Sequence, residues 1–180
     1  MNAGRKRFFY RLLILLFLLL LPGCTGVPEG VETVTGIEFK RYLGKWYEIA
    51  RLDHSFERGL HRVTADYSLR DDGGVRVINK GYDVKKKEWK EAEGRAYFVE
   101  SSRVGRLKVS FFGPFFGGYN IIDLDKERYS YALVCGYNRN YLWILSRAPA
   151  LDPATTERLV TKARTLGFAT ENLIFPVQGE

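Results

Sequence analysis

The side chains able to do covalent, metal or proton chemistry are few in this 180-residue chain, which holds two cysteines and two histidines. His54 and His61 stand seven residues apart with no third ligand nearby, so no metal centre is expected. Glu48 and Glu100 are carboxylates that a fold could bring to a cavity, but nothing in their spacing pairs them. No G-x-S-x-G elbow, phosphate-cradling loop, H-E-x-x-H or C-x-x-C appears, and Asp71-Asp72-Gly73-Gly74 has the look of a hairpin turn rather than a calcium loop. Cys135, inside Ala132-Leu133-Val134-Cys135, reads first as a small buried hydrophobe. A second reading turns it inward with Leu133 as a pocket thiol. The residues therefore point to a binding protein without cofactor rather than to an enzyme.

The other cysteine ends a targeting segment. Arg5-Lys6-Arg7 and Arg11 form a basic start, Leu12 to Leu21 is unbroken apolar sequence, and Pro22-Gly23-Cys24 follows. A spanning helix needs about 20 apolar residues, and Arg11 interrupts this run, so residues 1–23 read as a signal peptide. Leu21-Pro22-Gly23-Cys24 resembles the bacterial lipobox. That resemblance implies a diacylglyceryl thioether on Cys24, an acylated N-terminus after cleavage, and anchoring by two or more chains where one would not suffice. Thr25 in place of Asp implies sorting to the periplasmic face of the outer membrane. Residues 24–35 read as a lipidated tether. With Cys24 acylated, Cys135 has no partner for an intramolecular disulfide.

The formal charge of +7 is concentrated in the leader. Without its four cations, 24 Lys+Arg face 21 Asp+Glu, a balance of about +3 that gives little reason to expect nucleic acid as partner. Hydrophobic content of 46% and aromatic content of 14% exclude a largely disordered chain.

Residues 36–180 must position whatever is bound. Turn-type clusters alternate there with segments rich in Val, Ile, Tyr, Phe and Trp, predicting strands near 45–53, 62–70, 75–83, 89–100, 106–112, 118–124, 129–136 and 141–147. Val63, Ala65, Tyr67 and Leu69 share one face; Val75, Val77 and Asn79 another; Leu107, Val109 and Phe111 a third. Asp152, Pro153 and Gly167 bracket one helix, whose Leu159, Ala163 and Leu166 form a stripe for the outer barrel wall. The fold expected is all-β: an eight-stranded antiparallel up-and-down barrel with one C-terminal α-helix packed outside.

Three segments resemble the lipocalin family. Gly44-Lys45-Trp46 matches the G-x-W signature, Asp123 through Val134 the second motif without its common Thr-Asp-Tyr wording, and Leu142 to Arg147 the third. Further likeness at Phe56 to Gly59, Tyr67 to Gly74, Val77 to Tyr82 and Val109 to Asn120 is to the bacterial outer-membrane members, close to apolipoprotein D and the plant temperature-induced lipocalins. The resemblance implies a structural contact between Trp46 and Arg147. Alternation places Tyr67, Asn79, Phe111 and Trp143 on inward faces, where they also align with pocket-lining positions of those relatives, and Tyr119 beside the Gly117-Gly118 turn is a further candidate; the expected ligands are fatty acids or lysophospholipids. An enzyme using Cys135 and a structural lipoprotein with a filled barrel are the alternatives, and pairing into a homodimer is left open. The stretch Phe111-Phe112-Gly113-Pro114-Phe115-Phe116 reads equally as an exposed hydrophobic lip or as a loop tucked over the barrel end.

Overall fold

The computed structural model describes residues 24–179; the expected signal peptide, 1–23, lies outside them. A short helix, α1 (Phe39–Tyr42), leads into β1 (Gly44–Leu52), β2 (Leu60–Leu69), β3 (Val75–Asp83) and β4 (Glu88–Phe98). The meander continues through β5 (Arg106–Ser110), β6 (Gly117–Leu124), β7 (Tyr131–Cys135) and β8 (Leu142–Ser146). Helix α2 (Pro153–Thr165) and a two-residue strand, β9 (Leu173–Ile174), complete the fold. From β1 to β8 each strand pairs antiparallel with the next, and β1 pairs with both β2 and β8, so the sheet closes on itself. Closure satisfies the edges that an open meander would expose.

All eight expected strands are present, and so is the helix. Asp152 caps α2 by accepting from the Thr155 N–H at 2.8 Å, and Pro153 occupies its first turn. Gly167 follows at φ +82°, the left-handed conformation that suits glycine past a helix end. Leu159 and Ala163 are fully buried against the barrel's outer wall. Sequence patterning does not reveal α1 or β9. At four and two residues they are too short for periodicity, and tertiary contacts hold them. β9 pairs with β1 at Arg51 and Leu52, and Gln178 Nε2 donates to the carbonyls of both Glu48 and Val63.

A β-bulge in β1 between Glu48 and Ala50 decides which residues face the lumen. Before it Trp46 points inward; after it Ala50 and Leu52 point out to the seam beneath α2, and Arg51 turns inward opposite Trp143. The core thus has two parts, the lumen and this seam.

Cys135 is fully buried, as its first reading expects. Cys135 and Leu133 belong to the seam, not the lumen; Ala132 and Val134 face inward instead. β7 is covered on both faces, so its continuous apolar run carries no sign of which side is which. Burial pushes the Cys135 thiol up to about 12, and a neutral thiol outside the lumen gives the pocket-thiol reading no nucleophile.

The segment expected as a tether is also held. The Cys24 carbonyl accepts from Gly118 N–H at 2.6 Å, and Asn120 Nδ2 donates to the Gly26 carbonyl at 2.9 Å. Val31 is buried in the seam, and the Val34 N–H donates to the Ile121 carbonyl. Arg139 clasps the Glu29 carbonyl at one guanidinium nitrogen and the end of α2, at the Leu166 carbonyl, with another. Residues 24–36 form a strap along the barrel wall, fastened by side chains about a hundred positions away.

Candidate ligand-binding lumen

The end of the barrel where β1 begins is sealed. Trp46 is fully buried, its indole N–H donating to the Tyr42 carbonyl at 2.8 Å. Arg147 lies over the Trp46 ring, Cζ to centroid 4.0 Å, a cation–π contact worth about 0.5–2 kcal/mol. The same guanidinium donates to the carbonyls of Arg41, Leu43 and Lys45 at 2.7–2.8 Å. It thereby ties α1 and the start of β1 to the end of β8. Gly44 adopts φ +86° directly beneath that guanidinium, which explains glycine in this position.

Above this plug three phenols meet. Tyr119 Oη lies 2.7 Å from Tyr42 Oη and 2.9 Å from Tyr67 Oη. Burial raises the pKa of all three, so they remain neutral and satisfy one another. Tyr119 follows the Gly117-Gly118 turn at the opposite end but reaches down to the floor of the lumen. Tyr67 and Tyr119 are brought together; Tyr42, from α1, is the member that strand alternation does not disclose.

The upper wall differs. Ala65, Asn79, Val109, Phe111 and Trp143 face inward and stay only half-buried. Asn79 Oδ1 has no hydrogen-bond partner although it is buried, a cost of about 1–3 kcal/mol that an incoming donor would relieve. Phe111 lies across Gly94, where a Cβ would come within 2.9 Å of its ring. Phe111 is therefore tucked in, while Phe112 and Phe115 from the same stretch are 81% and 77% exposed. The stretch splits between the two expected readings.

The loop between β1 and β2 covers part of this wall with a cluster of charges. Arg51 Nη1 donates to Glu48 Oε1 at 2.5 Å, and its Nη2 to the Glu57 and Leu60 carbonyls. Glu57 Oε2 accepts from the Trp143 indole at 3.1 Å and lies 3.1 Å from His54 Nε2. All four charged or titratable residues are buried. Burial, with the second carboxylate close by, raises Glu48 to about 8 despite Arg51. Burial acts on Glu57 too, but the contacts from His54, Trp143 and Arg51 outweigh it and lower its pKa. Within this cluster burial thus favours the protonated form of Glu48, and the contacts around Glu57 favour its ionised form. Residue patterning missed this cluster because the bulge turns Arg51 inward and a loop supplies His54 and Glu57. Glu100, by contrast, pairs with Arg106 near the sealed end.

Two grooves on the surface lie outside the lumen. The larger, about 440 Å³, runs between the start of α2 and the tail at Phe175 to Gln178; the smaller, about 280 Å³, includes Arg70, Arg95 and Phe111. Within the lumen, Tyr42, Trp46, Tyr67 and Tyr119 pack against one another at the floor. Among the described residues no group of His, Cys, Asp and Glu is arranged to hold a metal ion.

Residues 37–178 match the model of the lipocalin-like domain. The chain is a lipocalin. An outer membrane lipoprotein Blc from Vibrio cholerae is 54% identical to it over 165 residues, 92% of this chain and 96% of that one. Bovine apolipoprotein D is 32% identical over 166 residues, 81% of this chain and 85% of its own. Insecticyanin from the tobacco hornworm has the same fold, with a TM-score of 0.68 at 21% identity over 86% of this chain and 88% of the other. This lipocalin is an outer-membrane, lipid-anchored protein of the apolipoprotein D-related group.

Proposed function

We propose that this lipocalin carries or stores single-chain amphiphiles, fatty acids or lysophospholipids, at the periplasmic face of the outer membrane, where Cys24 bears its acyl anchor. The observation that supports this most is the division of the lumen. Its floor is closed by satisfied phenols, whereas its upper wall combines half-buried apolar groups with an unpaired amide. An acyl tail would lie along Val109, Phe111 and Trp143, above Tyr67 and Tyr119, with Asn79 and the Arg51 cluster toward the head group.

The test uses the full lipoprotein extracted from membranes. Native mass spectrometry is expected to find one single-chain lipid per barrel, and an added fatty acid should quench tryptophan fluorescence at saturation. A protein that arrives empty and gives no response to long-chain lipids would remove the carrier reading. Intact mass of the N-terminal peptide tests Cys24 separately: acyl chains are expected there, and Cys24→Ser should release the protein from the membrane.

A further inference from the structure

The two ends of the barrel carry different surfaces. The mouth end is formed by the loops at 53–59, 84–87, 111–116 and 136–141. Six large hydrophobic residues are exposed there: Phe56, Val84, Trp89, Phe112, Phe115 and Tyr137. At the sealed end only Leu69 and Val99 are exposed among the described residues of that kind, and the loops carry Asp71, Asp72, Lys126, Glu127 and Arg128 instead. Large hydrophobic side chains exposed together at one end call for a partner.

Two observations identify the partner as the bilayer surface. The first is where the chain's lipid-bearing end is fastened. Cys24 is exposed, and its carbonyl is bonded to Gly118, two residues beyond Phe116, so the anchor emerges beside the aromatic loop. The second is charge. Arg95 and Lys108 flank the loop, Lys85 and Lys87 stand in another mouth loop, and none makes a salt bridge among the described residues. Arg95 and Lys108 instead approach the Phe116 ring at 5.9 and 5.1 Å. Aromatic rings flanked by unpaired cations suit the interface of a membrane containing anionic lipid.

We propose that Phe112 and Phe115 insert into the leaflet that holds the acyl anchor, so that the mouth of the barrel faces the bilayer. The proposal rests on the Cys24 anchor of the preceding reading but not on which lipid the lumen takes. The patch need not supply the attachment. With the anchor a few residues away, the effective concentration of lipid at the loop is high, and a weak contact is enough to set orientation.

The test is made on the full acylated lipoprotein reconstituted in vesicles of phosphatidylethanolamine and phosphatidylglycerol that contain a brominated phospholipid as quencher. An environment-sensitive fluorophore is placed at Phe115→Cys or, at the sealed end, at Lys126→Cys; buried Cys135 does not compete for it. The label at 115 should be quenched at least threefold more than that at 126. A label at Lys86→Cys should behave like that at 115, and adding Phe112→Ser with Phe115→Ser should bring it down to the level at 126. Equal quenching at both ends of a protein whose Cys24 peptide carries acyl chains overturns the docking alone. A protein that stays in solution with an unmodified Cys24 peptide overturns the anchor and the docking together.

Discussion

At the sealed end the polar groups of the plug are paired with one another: Arg147 meets three carbonyls and an indole face, and three phenols meet one another. At the mouth, Asn79 Oδ1 and Arg51 Nε are buried without partners, a carboxylate is held near neutrality, and aromatic rings stand in solvent. The contrast shows how one barrel divides its tasks. Saturated interactions make a rigid base, and the free energy withheld at the other end is available to a ligand or a membrane.

Removing the base should have the largest effect. Trp46→Ala is expected to cost about 3–5 kcal/mol in urea denaturation, and a loss below 1 kcal/mol would show that the plug is not what holds the end shut. At the mouth, Trp143→Ala should weaken fatty-acid binding by about 1–3 kcal/mol, measured by titration, with a smaller change in stability. Unchanged affinity would place the ligand elsewhere.

Glu48 sharpens the comparison through pH. Its raised value means that the folded state holds its proton. The associated stability is complete below the unfolded value of about 4.5 and is lost as pH rises through about 8. At about 1.4 kcal/mol per pKa unit, the protein should lose on the order of 2 kcal/mol between pH 6 and pH 8.5. Glu48→Gln should flatten that slope, and a wild-type protein equally stable at both values would contradict a protonated Glu48. The smallest effect belongs to the rim: Phe112→Ser and Phe115→Ser should each change the melting free energy by less than about 0.5 kcal/mol.

Much of the barrel was readable from residue types because most strands have one covered and one wetter face, and their period of two survives. Tyr67, Asn79 and Phe111 could be placed inward on that pattern alone. Where both faces are covered the pattern disappears, as at Cys135. Where partners are distant it was never written locally. Thr25 to Val34 has no periodicity, and its fastening depends on Gly118, Asn120 and Arg139. The mouth cluster depends on a bulge and a loop, neither of which leaves a mark in hydrophobic spacing. Trp46 and Arg147 came from family resemblance, since a Trp and an Arg a hundred residues apart announce nothing by themselves.

The strap has a consequence for range. Ten unattached residues could span about 33–36 Å, enough leash to let an anchored body roam the space beneath the membrane. With residues 24–36 laid down on the wall, that slack is spent. On the proposed Cys24 anchor the molecule would ride at the leaflet like a moored float, and any lipid donor or acceptor deeper in the periplasm would have to come to it.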